Sequence, residues 1–312
     1  MIPDAAAFTN FLFETPVFDT TSIIRKLAPG GEAMKSILVP VELHASIDSV
    51  LQCARLLAQR FQGHVDGVPL INRSWEVDEF AMPDWTPRME AYESRIADMV
   101  EQARERFTTM MDENTSSESK NHDHPFTHAF DASKTLGDYD IAYRARVFDI
   151  TVLGRPGKAE GKPRIACAET VLFESGRPVL LAPPDPPSGL GDTIVVAWNQ
   201  SMESARAAAY AMPLLKTARK VYILTIEAHN VQGPSAETLA SKLALHGIPV
   251  EIVHKMGKNR AAGLAYLEDG ASLGGDLMIK GAYTQSRLRE MIFGGATAHI
   301  LTKAKMPVLM AN

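Results

Sequence analysis

The sequence predicts an α/β protein built from two copies of one unit, each a five-stranded parallel sheet with helices on both faces. Three observations carry this. Strand and helix patterns alternate along the chain. The strands are short and continuously apolar, as strands covered on both faces must be. The pattern also restarts, in register, after a stretch rich in proline and glycine.

The first copy begins at Met34. Ser36-Ile-Leu-Val-Pro-Val41 reads as a buried strand within Lys35 to Glu42. Residues 46–61 place Val50, Cys53, Ala54, Leu57 and Phe61 on one helical face. Val65 to Ile71 is a strand, 88–112 a long polar helix, Phe126 to Phe130 a strand and 135–146 a helix. Phe148-Asp-Ile-Thr-Val-Leu153 is a strand ending at Gly154, followed by a helix over 165–175 and a last strand, Pro178 to Ala182. Pro183 to Gly191 then carries the composition of a linker.

The second copy follows the same order. Thr193 to Trp198 is a strand, and the next helix carries Ala205, Ala208, Ala209 and Met212. Strands follow at Val221 to Ile226, Val250 to His254, Asp276 to Lys280 and Pro307 to Met310, with helices over 235–246, 259–272 and 296–304 between them. Ser36 to Glu42 falls on Thr193 to Asn199 at an offset of 157, and Val50, Cys53, Ala54 and Leu57 fall on the alanine helix at 155. Gly154 falls on Gly281 and Thr170 on Thr297 at 127, and Pro178-Val-Leu180 on Pro307-Val-Leu309 at 129. The organisation expected is an extension over 1–33, a first domain over 34–184, a linker over 185–192 and a second domain over 193–312.

Composition narrows the function. The 312 residues are 46% hydrophobic and 22% charged, an ordinary globular balance. Lysine plus arginine number 32 against 37 aspartates and glutamates, a net charge of −5. Such a chain is a poor candidate for general phosphate-backbone binding, which needs a basic face, and leaves room only for a local basic patch. The two cysteines, Cys53 and Cys167, sit in no metal-ligand spacing and fit a reducing compartment. Apolar runs fall short of the ~20 residues of a membrane helix, and no secretory leader pattern opens the chain, so a cytoplasmic protein is expected.

In a parallel α/β sheet, ligands bind beyond the carboxyl ends of the strands, near the switch in strand order. The second copy places there Gly281-Ala-Tyr-Thr284-Gln-Ser286-Arg287-Leu-Arg289, then Gly294-Gly295-Ala296-Thr297 at the start of a helix. The free amides and positive end of a helix favour an anion, and glycine admits a phosphate close to the backbone. Ser286, Arg287 and Arg289 add donors. No GK[ST] follows, so this is not a Walker A loop.

With these residues the sequence resembles the universal stress protein family in its tandem bacterial form, over roughly residues 34–312. Nucleotide-binding members carry G-x2-G-x9-G-[ST] after the fourth strand. The resemblance implies a Rossmann-like fold of the adenine nucleotide alpha hydrolase-like kind, adenine-nucleotide binding in some members and a role in stress tolerance. The copies depart from the motif in opposite places. In the second, Gly281 and Gly294 match, but Thr284 replaces the middle glycine and Gly295 the final [ST]; Thr297, two places later, offers a hydroxyl. In the first, Gly154 and Gly157 match, while Cys167 and Ala168 replace the helix-start pair and Pro156 and Pro163 enter the loop. The helix start makes the anion site, so ATP, with or without Mg²⁺, is expected in the second copy and a degenerate site in the first.

The family often has Asp at the end of the first strand. Here Glu42 and Asn199 stand there: Asn199 is either a nucleotide contact or part of a helix cap beside Ser201, and Glu42 reads as a loop carboxylate. The expected site is therefore Asn199, Gly281, Thr284, Ser286, Arg287, Gly294, Gly295, Ala296 and Thr297, with adenine nucleotide as the small partner.

Weaker candidates are a metal cluster of His122, Asp123, His124 and His128, an insertion over 72–87 with Trp75, Phe80 and Trp85 that reads as a lid, a partner surface or a packed loop, and a Cys167 thiol acidified at a helix start. The expected function is a ligand-controlled regulatory or interaction module of the stress response, with an unidentified protein partner. A slow ATP hydrolase or nucleotidyl transferase and a scaffold that binds no nucleotide are the alternatives. Family members pair through their last strands, so the Pro178 and Pro307 strands are expected to meet within one chain as a pseudo-dimer; a further homodimer is left open.

Overall fold

The computed structural model describes residues 34–71, 85–113, 126–157, 161–257, 261–282 and 296–312. Glu32–Asn312 groups as one unit. The first half runs β1 (Ser36–Val41), α1 (Ile47–Phe61), β2 (His64–Pro69), α2 (Trp85–Asp112), β3 (Thr127–Phe130), α3 (Asp138–Ala145), β4 (Ile150–Gly154), α4 (Ile165–Glu174) and β5 (Val179–Ala182). The second runs β6 (Thr193–Ala197), α5 (Met202–Tyr210), α6 (Met212–Thr217), β7 (Lys220–Ile226), α7 (Ala236–Ala244), β8 (Glu251–Lys255), α8 (Ala262–Ser272), β9 (Leu277–Gly281), α9 (Ala296–Lys303) and β10 (Val308–Ala311).

The strands form one ten-stranded sheet in the order β3-β2-β1-β4-β5-β10-β9-β6-β7-β8. Each half is parallel and has the order 3-2-1-4-5. The strand registers reproduce the sequence offsets. Ile37 pairs with Ile150 in the first half and Ile194 with Leu277 in the second. Thr151 pairs with Val179 and Met278 with Val308. The halves join where β5 and β10 pair antiparallel, Leu180 opposite Leu309.

Helices cover both faces, and each face carries a core that spans both halves. One core packs Val50, Leu57, Phe107 and Ile37 with Ala207, Leu214, Ile223 and Leu309. The other packs Ile141, Val171 and Leu181 with Tyr266, Ile300 and Met310. The α1 face is as expected: Val50, Cys53, Ala54, Leu57 and Phe61 are all buried. Its counterpart is shifted by one residue from the sequence reading. Ser204, Ala207, Ala208, Ala211 and Leu215 are the buried set; of the expected residues Ala208 is buried, while Ala205, Ala209 and Met212 are not, so the helices correspond at an offset of 154. An alanine-rich helix offers no contrast between faces, so composition could not set its rotation. Pro213 marks the division into α5 and α6, because proline cannot donate to the carbonyl one turn back.

A carboxylate ties each half together at the same place. Asp149 accepts from the amides of Lys35 and Ser36 at 2.7 and 2.9 Å and from the Ser36 hydroxyl at 3.0 Å. Asp276, at the repeat offset of 127, accepts from the amides of Gly191, Asp192 and Thr193 at 3.1, 2.9 and 3.0 Å. The segment 185–192 is fastened to the first half. Ser49 donates to the Asp185 carbonyl (3.1 Å), and Arg60 donates to the carbonyls of Leu190 (2.7 Å), Gly191 (2.9 Å) and Thr217 (2.8 Å).

Candidate functional site

The reversal in strand order falls between β1 and β4 in the first half and between β6 and β9 in the second. Side chains placed just beyond these strand ends face a crevice.

The first crevice is filled by its own residues. Arg164, the N-cap of α4, donates a two-pronged hydrogen bond to Asp138 at 2.8 and 2.6 Å and a longer one to Glu42 at 3.4 Å. Asp138 opens α3, where a carboxylate suits the helix dipole. His44 and Pro163 lie against Gly154: a Cβ built on that glycine would stand 2.6 Å from the Pro163 ring and 2.9 Å from the His44 ring. Around the start of α4, carboxylates and a guanidinium hold the position that an anion would need.

The titration of these groups follows from burial. Burial raises Glu42 above the ordinary carboxylate value, opposed by Arg164. His44 is pushed down to about 4, by burial first and then by Lys162. Its Nδ1 accepts a hydrogen bond from the Ser46 amide at 3.1 Å, which requires the bare, uncharged nitrogen. Cys167 is 3% exposed, and burial, with Asp138 and Glu42, pushes its thiol up. The acidified thiol expected from its helix-start position is therefore not found, because desolvation outweighs the helix dipole. Cys53 is a buried core thiol, also pushed up by burial.

The second crevice differs. Ala197 pairs with Lys280, so Asn199, two residues past the end of β6, lies near Gly281, the last residue of β9. The Asn199 carbonyl accepts from the Val231 amide at 3.0 Å, and its Oδ1 accepts from the Ser201 amide at 3.4 Å. Ser201 caps α5 by accepting from the Ser204 amide at 3.1 Å. Gln200 between them takes the left-handed conformation, φ 71. Asn199 thus shapes the turn that starts α5. A Cβ on Gly281 would stand 2.4 Å from the Ser204 amide nitrogen and 2.5 Å from the Glu203 carbonyl carbon, so this glycine lets α5 lie against β9. Thr297, in the first turn of α9, is 1% exposed, and the backbone of Ala296 opens that helix. Thr284, Ser286, Arg287, Gly294 and Gly295 lie outside the described residues.

Lys280 is a residue the sequence reading passed over. It is only 5% exposed, and its ammonium donates to the carbonyl of Gly281 at 2.8 Å. The repeat offset places it on Leu153, so a cation stands in the second half where the first has an aliphatic side chain. That exchange was visible in the aligned copies.

Of the histidine cluster, His128 hydrogen-bonds to Asp112 at 3.0 Å, and His122, Asp123 and His124 lie outside the described residues. Among the described residues no group of three or more His, Cys, Asp or Glu gathers as metal ligands. In the 72–87 insertion, residues 72–84 lie outside the description and Trp85 begins α2. No described helix is long and apolar enough to cross a membrane.

Fold and strand order together define a protein of two Rossmann-like halves. No protein-family profile matches the chain. A universal stress protein of Synechocystis sp. (strain ATCC 27184 / PCC 6803 / Kazusa) is 28% identical over 171 residues, 52% of this chain and 57% of that protein. The match thus spans little more than half the relative's length. Among solved structures, a universal stress protein from Archaeoglobus fulgidus DSM 4304 superimposes with a TM-score of 0.66 at 15% identity, covering 90% of this chain and 97% of that one. A functionally unknown protein from Pseudomonas aeruginosa PAO1 gives 0.50 at 15% identity, covering 89% and 92%. The structural likenesses establish the fold alone. The chain is thus similar to universal stress proteins over part of its sequence and, in its two Rossmann-like halves, in its fold.

Proposed function

We propose that the chain binds one adenine nucleotide, ATP with or without Mg²⁺, in its second half, and that the bound nucleotide controls a regulatory or interaction surface in a cytoplasmic stress response. The observation that carries this is the difference between the crevices. The first is closed by His44, Pro163 and the Arg164 fork. The sequence of the second keeps Gly281, Gly294 and Gly295 before a helix whose first turn bears Thr297, with Ser286 and Arg287 between. Asn199 stands beside Gly281 to meet the nucleoside. The two halves then act as the family's dimer contained within one chain, joined through β5 and β10.

Small molecules released from the purified protein, identified by mass spectrometry and followed by ATP titration, test this. One adenine nucleotide per chain is expected, with affinity reduced at least ~100-fold in Gly294→Val, where a branched side chain fills the space a phosphate needs. Absence of any nucleotide, with no binding on titration, overturns the proposal. It would favour the scaffold reading, which the packing of Gly281 on α5 also supports. Turnover near ~1–10³ s⁻¹ would instead make the chain an enzyme.

A further inference from the structure

The loop after β4 is the first half's counterpart of the proposed phosphate loop, and one of its side chains leaves that half. Arg155, next to Gly154, donates through Nη1 to the carbonyl of Thr302 in the last turn of α9. Its side chain is partly buried, and its Nε is buried with no hydrogen-bond partner among the described residues. Burial also lowers its pKa. A desolvated cation with an unmet donor is costly. The contact it makes is one that a cation favours, since the carbonyl end of a helix carries partial negative charge.

The arrangement has no counterpart in the other direction. The backbone is repeated: the Arg155 amide donates to Ala182 at 3.1 Å and the Ala282 amide to Ala311 at 2.8 Å. The side chain is not, because Ala282 cannot reach across. The matching helix α4 has its last carbonyl, Glu174, held within its own half by Arg146 at 3.0 Å. The plug also steadies the loop that bears Arg155. The Gly157 amide donates to the Pro163 carbonyl at 3.1 Å, and Pro163 packs on Gly154.

We propose that Arg155 is a positioning residue for the nucleotide site: the first half, its own crevice closed, serves as a bracket that holds the far end of the helix whose first turn receives the phosphates. This rests on the second half being the nucleotide binder. Helix α9 spans only Ala296–Lys303, about 12 Å at 1.5 Å per residue, so fixing its carboxyl end fixes its amino end. Arginine at one pole and phosphate at the other both complement the helix dipole.

The test uses the full chain as wild type, Arg155→Ala and Arg155→Lys, with hydrogen exchange followed peptide by peptide and ATP titration on each. In Arg155→Ala, exchange in α9 should rise about tenfold, that of a charge-assisted hydrogen bond, with α4 and β1 unchanged. ATP affinity should fall several-fold at unchanged stoichiometry, and Arg155→Lys should recover part of both. Unchanged exchange in α9, a rise spread evenly over the chain, or unaltered ATP affinity overturns the proposal. Should the wild type bind no ATP, nucleotide binding itself is disproved and the positioning role falls with it. The exchange pattern still decides whether Arg155 secures α9.

Discussion

At the residue scale, Nδ1 of His44 accepts a backbone hydrogen bond, so the plug of the first crevice depends on an uncharged imidazole. Its folded pKa, about 4, lies below the ordinary 6.5. The unfolded chain therefore binds the extra proton first. His44 contributes stability that is complete above pH ~6.5 and lost as pH falls through about 4. Glu42, raised by burial, acts in the opposite sense, favouring the folded state as it is protonated. In His44→Gln the melting temperature should fall less between pH 6.5 and 4 than in wild type. Equal slopes, measured by circular dichroism, would show that His44 does not carry the acid limb. None of this was legible in the sequence, where His44 was one loop histidine and nothing marked what it would lie against.

At the element scale, the end of β9 and the start of α5 meet at Gly281, a position the motif picked out for its nucleotide. The structure adds a second reason for the glycine, since a Cβ would meet the backbone of Glu203 and Ser204 rather than a movable side chain. Gly281→Ala should destabilise the protein by about 1–3 kcal/mol even without nucleotide, as overpacking does. An unchanged urea midpoint would show that α5 can shift freely and return the glycine to the ligand alone. Asn199 is the opposite case. Its two sequence readings, nucleotide contact and cap, meet in one turn, where its carbonyl accepts from the Val231 amide and its Oδ1 from the Ser201 amide. The paired clasps of Asp149 and Asp276 escaped notice because an acid opening a strand looks like any loop residue until the amides it receives are in place.

At the scale of the whole molecule, β5 and β10 make one sheet of the two halves, and both cores run through that junction. Arg60 reinforces it from outside, bonding the segment before β6 and the end of α6. The halves should therefore unfold together. In urea, pulsed hydrogen exchange of β2 and β7 should give coincident midpoints; two separated midpoints would mean that each half is stable alone. Leu309→Ala, at the junction and fully buried, should lower both midpoints together, by about 2–5 kcal/mol of stability.

The sequence by itself determined the repeated unit, its strand registers and the place of the crevices, because short apolar strands and their offsets are properties of neighbours along the chain. The glycines, hydroxyls and arginines proposed for the second copy are read from the same local order of residues. Tertiary structure decided the rest. It set the rotation of α5, which an alanine-rich helix does not encode, and closed the first crevice with His44, Glu42, Asp138 and Arg164, residues far apart in sequence. It also carried Arg155 onto the end of α9, 147 residues away. Those contacts depend on desolvation and reach between segments that meet only when the sheet is complete, so no local pattern records them.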